Sequence, residues 1–138
     1  MKIQFDAKKC TGCSACVIAC IDQRDIDCAS GQKPLRYMKK EEKSGHLIWH
    51  SVGCIQCGAC IPACPRGAIR READGVILID AKSCMGCGTC EKVCPRGVIS
   101  IRPADHKAMK CDLCRGRIAA GLLPACVHTC PAGSLLLK

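Results

Sequence analysis

Two stretches of the chain carry the same arrangement of sulfur ligands: CIQCGACIPACP from Cys54 and CMGCGTCEKVCP from Cys84. The spacing C-x2-C-x2-C-x3-C-P is the bacterial ferredoxin pattern, in which three close thiolates hold one 4Fe-4S cubane and the fourth cysteine serves another cluster. Three thiolates two residues apart wrap a loop around one cube. The fourth, on the following turn, faces away, so the motif works in pairs. A third copy, CTGCSACVIAC, supplies Cys10, Cys13, Cys16 and Cys20. The stretch CDLCRGRIAAGLLPACVHTCP has Cys111 and Cys114 at the usual gap and ends on Cys126 and Cys130, but eleven residues intervene between Cys114 and Cys126. It is read as a working group with a loop of helical character inserted. Of 17 cysteines, the groups Cys10/13/16/20, Cys54/57/60/64, Cys84/87/90/94 and Cys111/114/126/130 use all but Cys28, which is expected to be a free thiol.

Rival chemistries fit this pattern less well. Zinc takes four ligands in two pairs and has no use for a third cysteine at two-residue spacing followed by x3-C-P. Disulfides cannot join distant segments when the cysteines crowd into single loops, and MKIQFDAKK lacks the apolar core of a signal peptide, so a reducing, cytoplasmic setting is expected. The formal charge is +9, which on its own would suggest nucleic acid. Each oxidised cluster with four thiolates contributes about −2, so four of them leave a net charge near +1. The basic surplus is then internal compensation. With only Phe5, Tyr37 and Trp49 as aromatics, no platform for stacking bases exists. The longest aliphatic runs, VILI and LLL, fall far short of the roughly 20 residues of a membrane span.

The elements that must position these ligands are short. IQFD, VILID, VISI and SLLLK read as strands rich in branched aliphatics. ACVIACIDQ and TCEKV, beginning near the third cysteine of a group, hold one or two helical turns, and prolines after Cys64, Cys94 and Cys130 mark the exits. AIRR and VILID flank an EADG turn, a hairpin signature that makes the second and third groups one compact two-cluster ferredoxin. The 33 residues between Cys20 and Cys54 are too long and polar for a simple hairpin. They are read as a surface excursion and a candidate for partner contact, with KKEEK a solvated charge run. Glycines at 12, 53, 58, 86 and 88 let the backbone come close to inorganic sulfide. His46, His50, His106 and His128 are scattered and are not expected to be ligands. Arg66 and Arg96 each follow a Cys-Pro and either offset cluster charge or cover the surface.

With all four groups in view, the chain resembles the four-cluster iron-sulfur subunits of the dimethyl sulfoxide reductase group of molybdenum and tungsten oxidoreductases. The small four-cluster subunits of tungsten aldehyde oxidoreductases are similar. The likeness runs from DAKKCTGCSAC at Asp6 to CPAGSL at Cys130, and KCDLCRGRIAAGLLPACVHTCPAGSL carries it most strongly. Two departures stand out: Ile21 rather than proline follows Cys20, and the chain stops at Lys138 without the anchor of some membrane-bound relatives, so a minimal, soluble version is expected.

The resemblance implies an α+β, ferredoxin-like fold in which one two-cluster module nests inside another. The single domain 1–138 then divides into an outer module of residues 1–30 plus 103–138, an inner module of 51–102 and a surface connector of 31–50. It also implies four ligand sets: Cys10, Cys13, Cys16 with Cys130; Cys111, Cys114, Cys126 with Cys20; Cys54, Cys57, Cys60 with Cys94; and Cys84, Cys87, Cys90 with Cys64. Spacing supports the inner pair independently, the outer pair rests on the resemblance, and a sequential pairing, first group with second and third with fourth, stays open. The implied role is a non-catalytic electron-transfer subunit with four 4Fe-4S clusters. Its implied partners are a molybdenum- or tungsten-pterin catalytic subunit and a second redox subunit or soluble carrier. The alternative is a free-standing polyferredoxin. A catalytic iron-sulfur enzyme would need an open iron site, and no group is short of a thiolate.

Overall fold

The computed structural model, covering residues 1–138, strings short elements between the cysteine loops. They are β1 (Ile3–Phe5), α1 (Ala15–Gln23), β2 (Tyr37–Lys43), β3 (His46–Val52), β4 (Ile69–Arg71), β5 (Ile77–Ile79), α2 (Thr89–Val93), β6 (Ser100–Arg102), β7 (Lys107–Met109), α3 (Arg115–Ala119), α4 (Ala125–Thr129) and β8 (Leu135–Leu137). The helical segments expected at ACVIACIDQ and TCEKV are α1 and α2, and the insert before Cys126 supplies α3 and the start of α4. Proline sets where two of these helices stop: Cys94 and Cys130, at the ends of α2 and α4, adopt extended backbone (ψ 116 and 110), as a residue before proline prefers.

All strands pair antiparallel in four separate two-stranded sheets. The two ends of the chain meet in one of them, with Ile3 opposite Leu137 and Phe5 opposite Leu135. α1 and α4 pack together, and the Arg24 guanidinium at the end of α1 donates to Asp112 Oδ1 at 2.6 Å and to the Lys110 carbonyl at 3.2 Å. The first and last cysteine groups therefore share one body. Between them β4 and β5 form the EADG hairpin, closed by Gly75 N–H to Glu72 O at 2.9 Å. A second hairpin, β6–β7, has its turn ordered by Asp105, which accepts from Lys107 N–H at 3.1 Å.

The segment between the first and second groups corrects an expectation. Expected to be too long and polar for a simple hairpin, it holds the longest strand pair, β2–β3, seven residues on each side and running on to Val52, past the 31–50 connector. Its two-residue turn, Ser44-Gly45, has φ of 53° and 78°, the doubly left-handed turn that matches strand twist. The KKEEK run lies in β2, whose residues are almost all exposed. With no buried face there was no alternation of polar and apolar residues to mark a strand. Cys28 sits beyond α1 in a single 3-10 turn, exposed.

Isolated two-stranded sheets are marginal in water, and the apolar packing here is thin. Of 138 residues, 28 are buried. Fifteen of these make up three small cores: one around Ile3, Val76, Leu113 and Leu135, a second around Ile69, Ile77 and Ile99, and a third of Ile26, Leu35 and Met109. Cys16 and Cys126 are members of the first core, Cys60 and Cys90 of the second. The cores are built around the sulfur ligands.

Candidate functional site

Each cysteine group repeats one local design. The third cysteine is buried in every group: Cys16, Cys60, Cys90 and Cys126. The second is exposed in three of them, Cys13, Cys57 and Cys87. The residue just before the second cysteine always lies in the left-handed region: Gly12 (φ 76°), Gln56 (55°), Gly86 (71°) and Leu113 (57°). That turn reverses the chain around the sulfurs and aims backbone N–H groups inward. Gln56 N–H donates to Cys54 Sγ and Leu113 N–H to Cys111 Sγ, each at 3.4 Å. The fourth cysteines receive bonds of the same type, Cys64 from Ala68 N–H and Cys130 from Ser134 N–H, both at 3.3 Å. Hydrogen bonds of this type to ligating sulfur stabilise an added electron and raise the potential.

Gly86 is fixed by more than its φ, because a Cβ there would run into the His106 carbonyl. At Gly12 a Cβ would lie 2.5 Å from the Trp49 indole, so the ring from β3 lies directly on the first cysteine loop. Trp49→Ala is therefore expected to open that loop to solvent. On exposure to air, loss of about four irons per chain should be several-fold faster than in the unsubstituted protein, measured by iron release; an unchanged rate would mean that Trp49 shields nothing.

The structure gathers cysteines from distant groups around common cavities. Cys10, Cys13 and Cys16 line one together with Cys130. Cys111, Cys114 and Cys126 line another with Cys20. Cys84, Cys87 and Cys90 line a third with Cys64. Cys54 and Cys57 lie close enough to Cys60 for their charges to act on its thiol, and Cys94 packs against the core that contains Cys60 and Cys90. The thiols stand around spaces rather than converging on a point, and no set of three or more His, Cys, Asp or Glu forms a single-ion site.

The donor set fits iron-sulfur clusters by its chemistry. Burial pushes the thiols of Cys20 and Cys90 up to about 11 and that of Cys111 to about 12, and it raises Cys60 and Cys126 as well. A buried thiolate needs positive charge beside it, which iron supplies while ligation releases the proton. Cys130 runs the other way: burial raises its thiol, but the N–H groups of Ser134 and Ala132 outweigh that and hold it below the usual value. Thr89 likewise lowers Cys87 by hydrogen bonds from its hydroxyl and its N–H. Ser134 Oγ, on the wall of the cavity with Cys10 and Cys130, is enclosed and also helps to hold the Cys130 thiol low. The cavities also adjoin one another. Cys126 feels the charge of Cys16, Cys111 that of Cys54, and Cys90 that of Cys60.

The polar residues other than the cysteines fall into two classes. His50 bonds Glu41 across the β2–β3 hairpin at 3.0 Å, while His106, His128 and Arg66 are exposed. Arg36, Gln56 and Lys110, none of them singled out by the cysteine pattern, are all buried, at 4%, 6% and 4% exposure, and stand among the cysteine loops.

Comparison with known proteins gives a consistent result. Residues 46–138 match the family model of a 4Fe-4S dicluster domain, and residues 9–69 match a second 4Fe-4S dicluster model. The sequence is 33% identical over 142 residues to a subunit of the anaerobic dimethyl sulfoxide reductase of Escherichia coli K12, covering 95% of this protein and 69% of that one. It is 35% identical over 136 residues to the thiosulfate reductase electron transfer subunit PhsB of Salmonella typhi, covering 94% and 71%. The formate dehydrogenase-O iron-sulfur subunit of Escherichia coli K12 is 33% identical over 151 residues, and the match spans half of its length.

Proposed function

The chain belongs to the 4Fe-4S dicluster family of iron-sulfur electron-transfer subunits, and from that premise we propose that it relays single electrons for a molybdenum- or tungsten-pterin catalytic subunit. The electrons pass to or from a second redox subunit or a soluble carrier. The chain carries four 4Fe-4S clusters, which supply one-electron storage; its own residues hold, space and shield them. It performs no substrate chemistry itself.

In this reading the ligand sets are Cys10/13/16/130, Cys20/111/114/126, Cys54/57/60/94 and Cys64/84/87/90, two ferredoxin modules nested one inside the other. The observation that carries it is the gathering of cysteines from both ends of the chain around shared cavities. The charge influence between sets, Cys16 on Cys126, Cys54 on Cys111 and Cys60 on Cys90, supports a single file of four sites running from the Cys10 set to the Cys64 set. The partner's pterin lies beyond one end of that file and the other carrier beyond the opposite end. Assembly in the cytoplasm keeps the thiols reduced for ligation, and no helix is long and apolar enough to cross a membrane.

Anaerobic purification from native cells, with iron, molybdenum and tungsten analysis of the product, tests this. The expected result is about sixteen irons per chain and a larger pterin-containing subunit bound in fixed ratio. Iron near eight would remove two of the ligand sets, and a chain that elutes alone, fully loaded, would point to a free polyferredoxin instead.

A further inference from the structure

Lys110 precedes the first cysteine of the last group, yet its side chain is 4% exposed. Its ammonium donates to the Ile77 carbonyl at 2.6 Å, the Cys111 carbonyl at 2.7 Å and Gln56 Oε1 at 3.1 Å. Three donors thus meet three acceptors, none of them charged, and no carboxylate pairs with Lys110 anywhere in the chain. A buried cation without a counter-ion is expensive, so its compensating charge must come from something else at the site.

Its neighbours identify the source. Gln56 belongs to the loop between Cys54 and Cys57, and its Nε2 donates to the Cys111 carbonyl at 3.2 Å, tying that loop to the last group. Lys110 sits at this tie. On one side Cys60 feels its charge, on the other Cys111. We propose that Lys110 is the electrostatic positioning residue of the joint between the Cys54/57/60/94 and Cys20/111/114/126 sites, balancing negative charge on both and raising the reduction potentials of those two clusters above what the loops alone would give. The inference rests on the ligand sets proposed above. Arg36, 4% exposed and bonded to Ser51 Oγ at 2.8 Å, has its charge felt at Cys20 and Cys126, and Arg71 donates to the Gln56 carbonyl at 3.4 Å. Lys110 is set apart from both by being buried and bonded to the two loops at once, through Gln56 Oε1 and the Cys111 carbonyl.

The test is an EPR-monitored redox titration of the loaded complex carrying Lys110→Met, Gln56→Glu or, as a surface control, Lys43→Met. Lys110→Met removes the charge. Gln56→Glu keeps Lys110 and sets a carboxylate against it, so it decides the matter if Lys110→Met loses iron. In both variants the two clusters flanking Lys110 are expected to fall in potential while the other two hold, and Lys43→Met should shift none selectively. Unchanged potentials in Gln56→Glu, or an equal fall of all four in either variant, would overturn the inference. Four signals and about sixteen irons in the unsubstituted chain report the four clusters, and the signal lost in Cys130→Ala reports the ligand sets, so a null result in the Lys110 and Gln56 variants counts against Lys110 alone.

Discussion

Anaerobic removal of iron with a chelator is expected to unfold this chain completely. Few residues are buried for its length, and Cys16, Cys60, Cys90 and Cys126 lie inside the two larger cores. Cys20, Cys64, Cys84, Cys94 and Cys111 pack against the cores as well. The four sheets have two strands each and cannot stand alone. Structural metals contribute roughly 10–16 kcal/mol to the folding of small zinc domains, while the net stability of a folded domain is about 5–15 kcal/mol. Loss of four clusters exceeds that margin. Far-UV circular dichroism should fall to that of an unfolded chain, with rapid proteolysis. A stripped chain that still melts cooperatively would show that the apolar cores suffice.

The same experiment has a pH arm. In the iron-free fold, Cys20 and Cys90 have thiols raised from 9.0 to about 11, and Cys111 to about 12, chiefly by burial. A value raised by folding contributes stability that is present below the unfolded value and is lost as pH climbs through the folded one. Any residual structure in the stripped chain should therefore persist best below pH about 9 and disappear as the pH rises toward 11 to 12.

What the sequence reveals here follows from where the information resides. Cysteine spacing is a property of residue identity, so all four groups could be read directly, and α1 and α2 begin beside the third cysteines Cys16 and Cys90, whereas the second group buries Cys60 with turns alone. The β2–β3 hairpin was hidden for a physical reason: a strand pair exposed to water, such as Tyr37–Lys43, needs no apolar alternation, and its Ser44-Gly45 turn is weaker as a signal than Asn-Gly. Gln56 and Leu113 take the left-handed positions that Gly12 and Gly86 fill in the other groups, and neither residue type announces that. Lys110 and Arg36 look like surface residues in a basic chain. Their burial depends on Ile77, Ser51 and the cysteine loops, contacts made only when distant segments meet.

Cys130→Ala is expected to disturb the cluster site at the N-terminus, 114 residues away from Cys16 in the sequence, and to spare the one held by its own group. Local spacing argues the reverse, because Cys126 and Cys130 are four apart on one helical turn. Three features of the fold favour the exchange. The Cys126 side chain lies in the first core, at the start of α4, and lines the cavity of Cys20, Cys111 and Cys114. Cys130 ends the helix in extended backbone ahead of Pro131 and lines the cavity of Cys10, Cys13 and Cys16. The β1–β8 pairing and the Arg24–Asp112 ion pair hold the two groups in that relation. Removing one of four thiolates from a cubane leaves an open iron, so the N-terminal signal should be lost or become that of a three-iron cluster, with roughly one to four irons missing per chain. EPR of the reduced and oxidised variant reads this directly. If the signal lost is instead the one that also disappears in Cys111→Ala, the ends of the chain do not exchange ligands and the two groups each close on themselves.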